Sequence, residues 1–374
     1  MPAKRILLMY ISEVSGHRSA AMAVAKALKI LRPDIEIMDI NAFNYTNPIS
    51  EKVINTLYMN VIKNAPQIWD YLYDNPDIIK RIEKFKKAVH KFNSPKLISL
   101  FEQFKPDVVA CTQAFPCGMV ADYKADCNSH LPLVAVLTDY APHSYWIYDT
   151  VDYYITPAQD VSQRLIKKGV PENKIMDLGI PFDQKFNQPC DRNKIFQKLK
   201  LNPDLPTILI MGGGQGLGPI KTILKSMEKI KKEIQEIVVC GTNKKLHGSL
   251  EKKLHKYKKR IALFGFSQNV HELMSISDMI ISKPGGVTAA ESLSKEIPMI
   301  IVNPLPGQEA NNTAYLTEKG TAIKVEAAKT INLVIEDLLE NPLKLSSFRE
   351  SILRIRKPNA SFDIAKLLIR LANA

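Results

Sequence analysis

The stretch DMIISKPGGVTAAESLSKEIPMIIVNP, residues 278–304, contains in order an apolar run, a glycine turn, a helical segment and a second apolar run. Short runs rich in Ile, Val and Met between turn residues are typical of strands, and Gly285-Gly286 followed by Val287 and Thr288 is typical of a turn from strand into helix. The pattern predicts a strand–helix–strand unit with parallel strands, the repeating element of doubly wound α/β folds.

The same alternation extends through most of the chain. It runs from RILLMYI at residues 5–11 to about residue 183, is interrupted by the polar, proline-containing stretch at 182–193, and starts again with TILIMGG at 207–213. A chain of 374 residues is long enough for two ordinary domains. We therefore predict an α/β protein with two Rossmann-like domains that face a central cleft.

The predicted boundaries give a domain at residues 1–185, a second at 186–343 and C-terminal helices at 344–374, which Pro358 divides into two.

The chain offers no stretch of roughly 18 uncharged apolar residues, so we expect any contact with a membrane to be peripheral. The five cysteines, at 111, 117, 127, 190 and 240, show no zinc-like grouping, and we expect reduced thiols in a cytoplasm.

The charge is strongly basic. Lys and Arg number 51 against 38 Asp and Glu, a formal net charge of +13. This excess favours an anionic partner such as a phosphorylated substrate, anionic lipid or nucleic acid. No RNA-binding, zinc-finger or helix-turn-helix pattern accompanies it, so we expect no nucleic acid partner. The run KKLHKYKKR at 252–260 is interpreted as solvated surface.

Two glycine-rich turns are candidates for binding phosphate. In the first, Lys283 and Pro284 precede Gly285-Gly286 at a helix start, where backbone N–H groups can hold an anion and Thr288 can add a hydroxyl. The second, MGGGQGLGP at 211–219, lacks the spacing of a dinucleotide fingerprint and the GK[ST] ending of a Walker A loop. A dehydrogenase and a P-loop enzyme are therefore disfavoured.

Taken together, KPGGVTAAESL, PMIIVNPLPGQEANN, MGGGQGLG and the N-terminal SGHRSAA resemble the processive diacylglycerol glucosyltransferases and monogalactosyldiacylglycerol synthases, which are related to the peptidoglycan GlcNAc transferase. The resemblance covers nearly the whole chain. It implies a GT-B fold, an inverting transfer from a UDP-sugar bound by the C-terminal domain, a diacylglycerol acceptor on the N-terminal domain, and no catalytic metal or other cofactor.

The resemblance also implies site residues. On the donor side, the backbone near Phe266 contacts uracil, Glu291 the ribose, and Gln308 and Glu309 the sugar hydroxyls. Phosphate contacts are implied for a larger group, in which a helix start or glycine turn provides positive potential: Ser15, Gly16, Gly213, Gly214, Lys283, Gly285, Gly286 and Thr288.

An inverting transfer also needs a base that removes the proton of the acceptor hydroxyl. His17, at the first strand-to-helix turn, is the candidate base or orienter of the base, and Asp139 in VLTDYAPHSYW is the other candidate. The two alternatives remain open at this point.

The acceptor side is predicted from aromatic and basic residues of the first half, because aromatic rings suit the headgroup level of a bilayer and lysines suit anionic lipid. On these grounds the candidates are Tyr58, Trp69, Tyr71, Lys84 and Lys87. The family resemblance adds His143 and Trp146, because its TDxxxHxxW-like pattern lies at the acceptor side of the cleft. We therefore expect a cytoplasmic protein, peripheral on the inner face of a membrane, that makes β-glycosyl diacylglycerol from UDP-glucose or UDP-galactose.

Two alternatives share this architecture. One is a GlcNAc transferase with a polyprenyl-linked acceptor, although the PLPGQE and TDYAPHSYW segments are closer to the glycerolipid group. The other is a non-hydrolysing UDP-sugar epimerase, which would act without lipid.

Overall fold

The computed structural model describes residues 3–46 and 95–374. The chain forms two compact units. The first comprises Met1–Gln184, Leu305–Gln308 and Asn359–Ala374, and the second comprises Lys185–Pro304 and Glu309–Pro358.

Each unit contains a six-stranded sheet in which every strand pair is parallel. The order is β2-β1-β3-β4-β5-β6 in the first unit and β12-β11-β10-β7-β8-β9 in the second. The strands are β1 Arg5–Tyr10, β2 Glu36–Asn41, β3 Val108–Cys111, β4 Leu133–Val136, β5 Tyr153–Thr156, β6 Ile175–Asp177, β7 Thr207–Met211, β8 Gln235–Val239, β9 Arg260–Phe264, β10 Met279–Ser282, β11 Met299–Val302 and β12 Ala322–Val325.

Helices connect the strands, as parallel pairing requires. In chain order they are α1 Gly16–Leu31, α2 Ala42–Thr46, α3 Ala114–Asp126, α4 Gln159–Lys167, α5 Arg192–Leu199, α6 Ile220–Met227, α7 Lys244–Glu251, α8 Val270–Ser275, α9 Gly286–Ser294, α10 Gln308–Glu318, α11 Ile331–Glu340, α12 Pro342–Ile355 and α13 Ala360–Ala372. Residues 95–104 are also helical. No helix within the described residues has the length and apolar character that crossing a bilayer demands.

The sheet of the first unit is buried on both faces. Side chains alternate along a strand, so Leu7 and Met9 of β1 pack with α3, whereas Ile6 and Leu8 pack on the opposite face with α1 and α13. The last helix, α13, therefore completes the core of the first unit. It contributes Ile364, Leu367 and Leu368, which are at most 3% exposed.

In the second unit, the apolar sides of α6 and α11 cover one face of the sheet. Ile223 and Leu224 of α6 and Ile335 of α11 share a cluster with Ile208 and Ile210 of β7. Because runs of Ile and Val on both faces of a strand are typical of a buried parallel sheet, this packing follows from the sequence.

The structure confirms the predicted fold class. The apolar runs form strands, and two helices, α12 and α13, flank Pro358. The segment 344–374, predicted as one C-terminal group, is divided between the units, with α12 in the second and α13 in the first. The predicted acceptor residues Tyr58, Trp69, Tyr71, Lys84 and Lys87 lie outside the described residues.

The packing of α13 gives a stability prediction. Leu368→Ala should lower the free energy of unfolding by about 2–5 kcal/mol, because it removes a side chain that is 0% exposed from a close-packed core. The measurement is the midpoint of urea unfolding, followed by circular dichroism.

The exposed neighbour Lys366 provides the control. Lys366→Ala should change stability by less than about 0.5 kcal/mol. Equal effects of the two substitutions would contradict the packing described for α13.

Candidate functional site

The first strand-to-helix turn of the first unit holds His17 in a fixed orientation. Ser15 caps α1: its hydroxyl accepts a hydrogen bond from the N–H of Arg18 at 3.2 Å and lies 2.9 Å from the carbonyl oxygens of Ile11 and Ser12. Gly16 is the first residue of the helix and is exposed. The cap fixes where α1 begins and so places His17 in its first turn.

The imidazole is held by a pair of threonines, each of which lies just after the end of a strand. Nδ1 of His17 lies 2.9 Å from the carbonyl oxygen of Thr112, after β3, and 2.9 Å from Oγ1 of Thr138, after β4. A carbonyl oxygen only accepts hydrogen bonds, so Nδ1 carries the proton. Nε2 is then the nitrogen with the lone pair, which is the form that a general base needs.

The surroundings of His17 favour the neutral ring. Desolvation by the surrounding protein lowers the pKa of His17 below its usual value of 6.5. The charge of Asp139 and the bond to Thr112 act in the opposite direction but do not outweigh desolvation. At neutral pH the imidazole is therefore uncharged, and Asp139 is near enough to act on it electrostatically.

A polar network ties this turn to β2. Nε of Arg18 lies 3.2 Å from a carboxylate oxygen of Glu13 and donates to the hydroxyl of Tyr10 at 3.3 Å. The same hydroxyl donates to Asp39 at 3.4 Å, and the amide of Asn41 donates to Glu13 at 3.3 Å. Since Arg18 and Glu13 are about half exposed, the pair orients the turn more than it stabilises the fold.

The other two predicted acceptor residues of the first unit are buried. His143 precedes the short 3-10 turn Ser144–Trp146, and Trp146 is its last residue. The two residues are 7% and 4% exposed. Their ring centroids lie 6.1 Å apart, and Trp146 packs in the core that contains α3. Both rings therefore lie inside the first unit, and their assignment to the acceptor side stays a prediction.

In the second unit, the glycine-rich loop after β7 is a compact turn. The N–H groups of Leu217, Gly216 and Thr242 donate to the carbonyl oxygens of Gly212, Gly213 and Gly214 at 2.8–3.0 Å. These carbonyls therefore point into the protein.

Two glycines of this loop have different surroundings. A Cβ on Gly216 would lie 1.8 Å from the carbonyl oxygen of Cys240, and φ is +60°, so only glycine fits. Gly213 also has a positive φ, +67°, but a Cβ there would meet nothing within 4 Å. The loop is thus packed at Gly216 and open at Gly213, the position predicted to approach phosphate.

The second glycine turn forms the N-terminus of α9. Gly285 is the N-cap, Gly286 is the first helical residue, and Thr288 lies half-buried in the first turn. The fully buried amide of Asn312, on α10, donates to the carbonyl of Pro284 at 2.9 Å and fixes the turn from the side. Exposed N–H groups at a fixed helix start are suited to an anion.

Lys283 and Glu309 form an ion pair beside this helix start. Nζ of Lys283 lies 3.2 Å from Oε1 of Glu309, and their side chains are 16% and 22% exposed. The sequence predicts contacts of Lys283 and Glu309 to different parts of the donor, but it does not predict the ion pair between them. Glu291 lies half-buried on α9, Gln308 begins α10, and Phe266, after β9, is 62% exposed.

Sequence reasoning missed the groups that hold these turns, namely Thr112, Thr138, Asn243 and Asn312. Thr112 and Thr138 follow buried strands and Asn243 lies at a helix start, which is the signal that the sequence offered for them, whereas Asn312 lies within α10 and had no such signal. Asn243 caps α7 and donates to the carbonyl of Gly216 at 3.2 Å.

Each half of the chain is similar to a known protein family. The model of the monogalactosyldiacylglycerol (MGDG) synthase family matches residues 17–182, and that of the glycosyltransferase family 28 C-terminal domain matches residues 207–367. Together the two matches cover most of the chain. The predicted family resemblance is thereby confirmed, and with it the predicted glycosyltransferase class.

Curated relatives match along nearly the whole length. A processive diacylglycerol beta-glucosyltransferase of Bacillus licheniformis is 28% identical over 359 residues, which are 96% of this chain and 92% of the relative. One of Staphylococcus saprophyticus is 29% identical over 377 residues, with 99% and 93% covered. Among solved structures, Acinetobacter baumannii MurG superposes with a TM-score of 0.64 at 14% identity and covers 98% of this chain and 100% of its own. The GT-B fold is confirmed.

The close approach at Gly216 gives a prediction for the glycine loop. Gly216→Ala should displace the loop and weaken the binding of UDP, because the methyl group and the Cys240 carbonyl would occupy the same space. The measurement is isothermal titration calorimetry with UDP.

Gly248 is the matched control, since it lies in α7 and a Cβ there would meet nothing within 4 Å. Gly248→Ala should leave UDP affinity unchanged and stabilise the helix by up to about 1 kcal/mol. Loss of UDP binding in both variants, or in neither, would contradict the role of the loop.

The environment of His17 gives a prediction about its pKa. In an NMR titration, His17 should titrate below 6.5, and Asp139→Asn should lower its pKa further, because the Asp139 charge is an influence that raises it. Asp126→Asn, on the exposed end of α3, should have no effect. A pKa of His17 above 6.5, or an upward shift in Asp139→Asn, would disprove this electrostatic account.

Proposed function

We propose that the protein is an inverting hexosyltransferase that moves glucose or galactose from a UDP-hexose to the free hydroxyl of 1,2-diacylglycerol, making β-glycosyl diacylglycerol. The observation that carries the proposal is the state of His17: its Nδ1 is tied to a backbone carbonyl and its ring is neutral, so Nε2 is available as a base. Relatives at 28–29% identity that are named diacylglycerol glucosyltransferases support the choice of acceptor.

In the proposed reaction, Nε2 of His17 takes the proton of the acceptor hydroxyl. The hydroxyl oxygen forms a bond to the anomeric carbon of the sugar, and the bond from that carbon to UDP breaks with both electrons leaving on the UDP oxygen. Attack opposite to the leaving group inverts the anomeric carbon. General-base catalysis of this kind contributes about 100- to 10,000-fold to a rate.

Charge that develops on UDP needs stabilisation, and the second unit offers it. The N-terminus of α9 presents the positive end of the helix dipole and the backbone N–H groups of Gly286 and Val287, which open the helix after the N-cap Gly285. We assign the diphosphate to this turn, with Thr288 as a further donor. These fixed dipoles stabilise part of the developing charge. We propose no catalytic metal, so the rate should survive a chelator.

The ion pair of Lys283 and Glu309 is assigned to the sugar. A carboxylate accepts hydrogen bonds from hexose hydroxyls, and Lys283 holds Glu309 at 3.2 Å beside the start of α9. In this arrangement Lys283 acts as a positioning residue for Glu309. The contact is compatible with either hexose, which leaves the identity of the sugar to experiment.

Asp139 is the alternative base. Its charge acts on His17, and it directly follows Thr138, which contacts the imidazole. The two assignments differ in their pH dependence, because His17 works as a base only when neutral. Because the pKa of His17 is lowered from 6.5, a His17-dependent rate should fall as the pH drops through that lowered pKa.

The test is product analysis by mass spectrometry. Purified protein is incubated with diacylglycerol vesicles and, separately, UDP-glucose, UDP-galactose or UDP-GlcNAc, with and without EDTA. We expect a hexosyl lipid from one of the first two donors, insensitive to EDTA. His17→Ala should lower kcat by about 100- to 10,000-fold with little change in the KM for the donor.

Three other results would change the proposal. A near-normal rate in His17→Ala would transfer the role of base to Asp139. Lipid transfer from UDP-GlcNAc alone would indicate the amino-sugar branch. If folded protein makes no glycolipid from any donor but converts UDP-GlcNAc without lipid, the protein is an epimerase and the proposal is wrong.

A further inference from the structure

Most of the excess positive charge is concentrated in one part of the second unit. Residues 221–260 contain thirteen Lys and Arg against four Glu, a net charge of +9 of the chain's +13. Residues 261–358 contain ten Lys and Arg against eleven Asp and Glu. The excess is therefore a local property of α6, α7 and the segments that follow them, and we call their exposed cations the basic surface.

The fold brings these segments to one face of the sheet. The connections β7–α6–β8 and β8–α7–β9 move in the same direction across the sheet, so right-handed crossovers place α6 and α7 side by side. A hydrogen bond of 2.7 Å from Nζ of Lys221 on α6 to Oγ of Ser249 on α7 joins the two helices. The apolar sides of both helices pack on the sheet, which directs their polar sides outward.

The cations of the basic surface are exposed and have no ion-pair partner within the described residues. Twelve of the thirteen are exposed, and no salt bridge among residues 3–46 and 95–374 includes any of them. The half-buried Lys259 donates to the carbonyls of Ile230 and Lys232. These bonds to neutral oxygens do not compensate the charge.

One of the four Glu residues in this region compensates little of it. Glu236 is 1% exposed, and desolvation, with a smaller contribution from Glu228, raises its pKa to about 8, so it is mostly uncharged at neutral pH. Glu228 accepts hydrogen bonds from the backbone N–H groups of Lys258 and Lys259. Lys221 and Lys225 lie four residues apart on α6, a spacing at which like charges on a helix repel, and Lys229 follows in the turn after the helix.

We propose that the basic surface docks the second unit on an anionic phospholipid bilayer. This inference rests on the proposed function, which gives the protein an acceptor embedded in a membrane. Exposed, uncompensated lysines are attracted to the negative surface potential of anionic lipids, by about 1 kcal/mol for each lysine near the surface. The contact is additional to any on the first unit.

The residue types favour lipid over nucleic acid. Twelve of the thirteen cations are lysine, one is arginine, and Tyr257 is the one aromatic residue of 221–260. Binding of single-stranded nucleic acid relies on aromatic rings that stack on bases, and arginine is favoured for bidentate contacts to phosphate. Lysine, a hydrated point charge, suits the diffuse charge of a headgroup layer.

The test compares two variants with equal changes in net charge. The first is the triple substitution Lys225→Gln, Lys253→Gln and Lys256→Gln in the basic surface. The control is Arg164→Gln, Lys167→Gln and Lys198→Gln, exposed cations of α4 and α5. Binding is measured by co-sedimentation with vesicles of phosphatidylcholine alone and of phosphatidylcholine mixed with phosphatidylglycerol, at low and high salt.

We expect binding to the phosphatidylglycerol vesicles to fall about fivefold for each lysine removed, so about a hundredfold for the first variant, and much less for the control. Added salt should reduce the difference. Equal binding by wild type and the first variant, or equal losses in both variants, would overturn the proposal. So would unchanged vesicle binding with loss of affinity for duplex DNA, which would assign the surface to nucleic acid.

A second assay separates this inference from the proposed function. Transfer to diacylglycerol in neutral detergent micelles does not depend on an anionic surface, so the first variant should be as active there as wild type. Absence of transfer by wild-type protein in micelles would contradict the proposed function. Normal transfer in micelles with unchanged vesicle binding of the first variant would contradict only the docking surface.

Discussion

Parallel strand pairing is the constraint on which both candidate sites depend. In each sheet all described strands point the same way, so their carboxyl ends and the turns that follow lie at one edge. In the first unit this brings Thr112, Thr138 and the start of α1 together around His17. In the second it brings the turns after β7 and β10 to the same edge, each ending at a helix N-terminus. In both units the parallel strand order therefore decides which polar groups lie close together.

The sequence predicted the elements better than the contacts between them. Runs of Ile and Val and paired glycines are local signals, so the strands and the start of α9 could be located from sequence. The bond from His17 to Thr112 joins residues 95 positions apart, and the ion pair of Lys283 with Glu309 joins residues 26 apart. No local pattern encodes such pairs, although His17, Lys283 and Glu309 themselves were candidates.

His143 and Trp146 illustrate a second limit of sequence reasoning. An aromatic residue in a loop after a strand is compatible with a surface for lipid and with a core, because the same ring serves both. Packing of Trp146 against α3 decides for the core. The basic run at 252–260 is a further example. From sequence alone it is interpreted as solvated surface, because the sequence does not show that the lysines of α6 lie beside α7. In each case the neighbours in space, supplied by the fold, decide the environment of the residue.

The return of α13 to the first unit has a consequence for synthesis of the protein. Helix α1, which carries His17, packs against a helix that ends two residues before the C-terminus. A chain emerging from the ribosome therefore cannot complete the core of the first unit until the second unit has been made. During that interval the apolar side of α1 lacks its cover, and contacts this distant along the chain form late in folding. The unit that carries His17, although it is encoded first, is finished last.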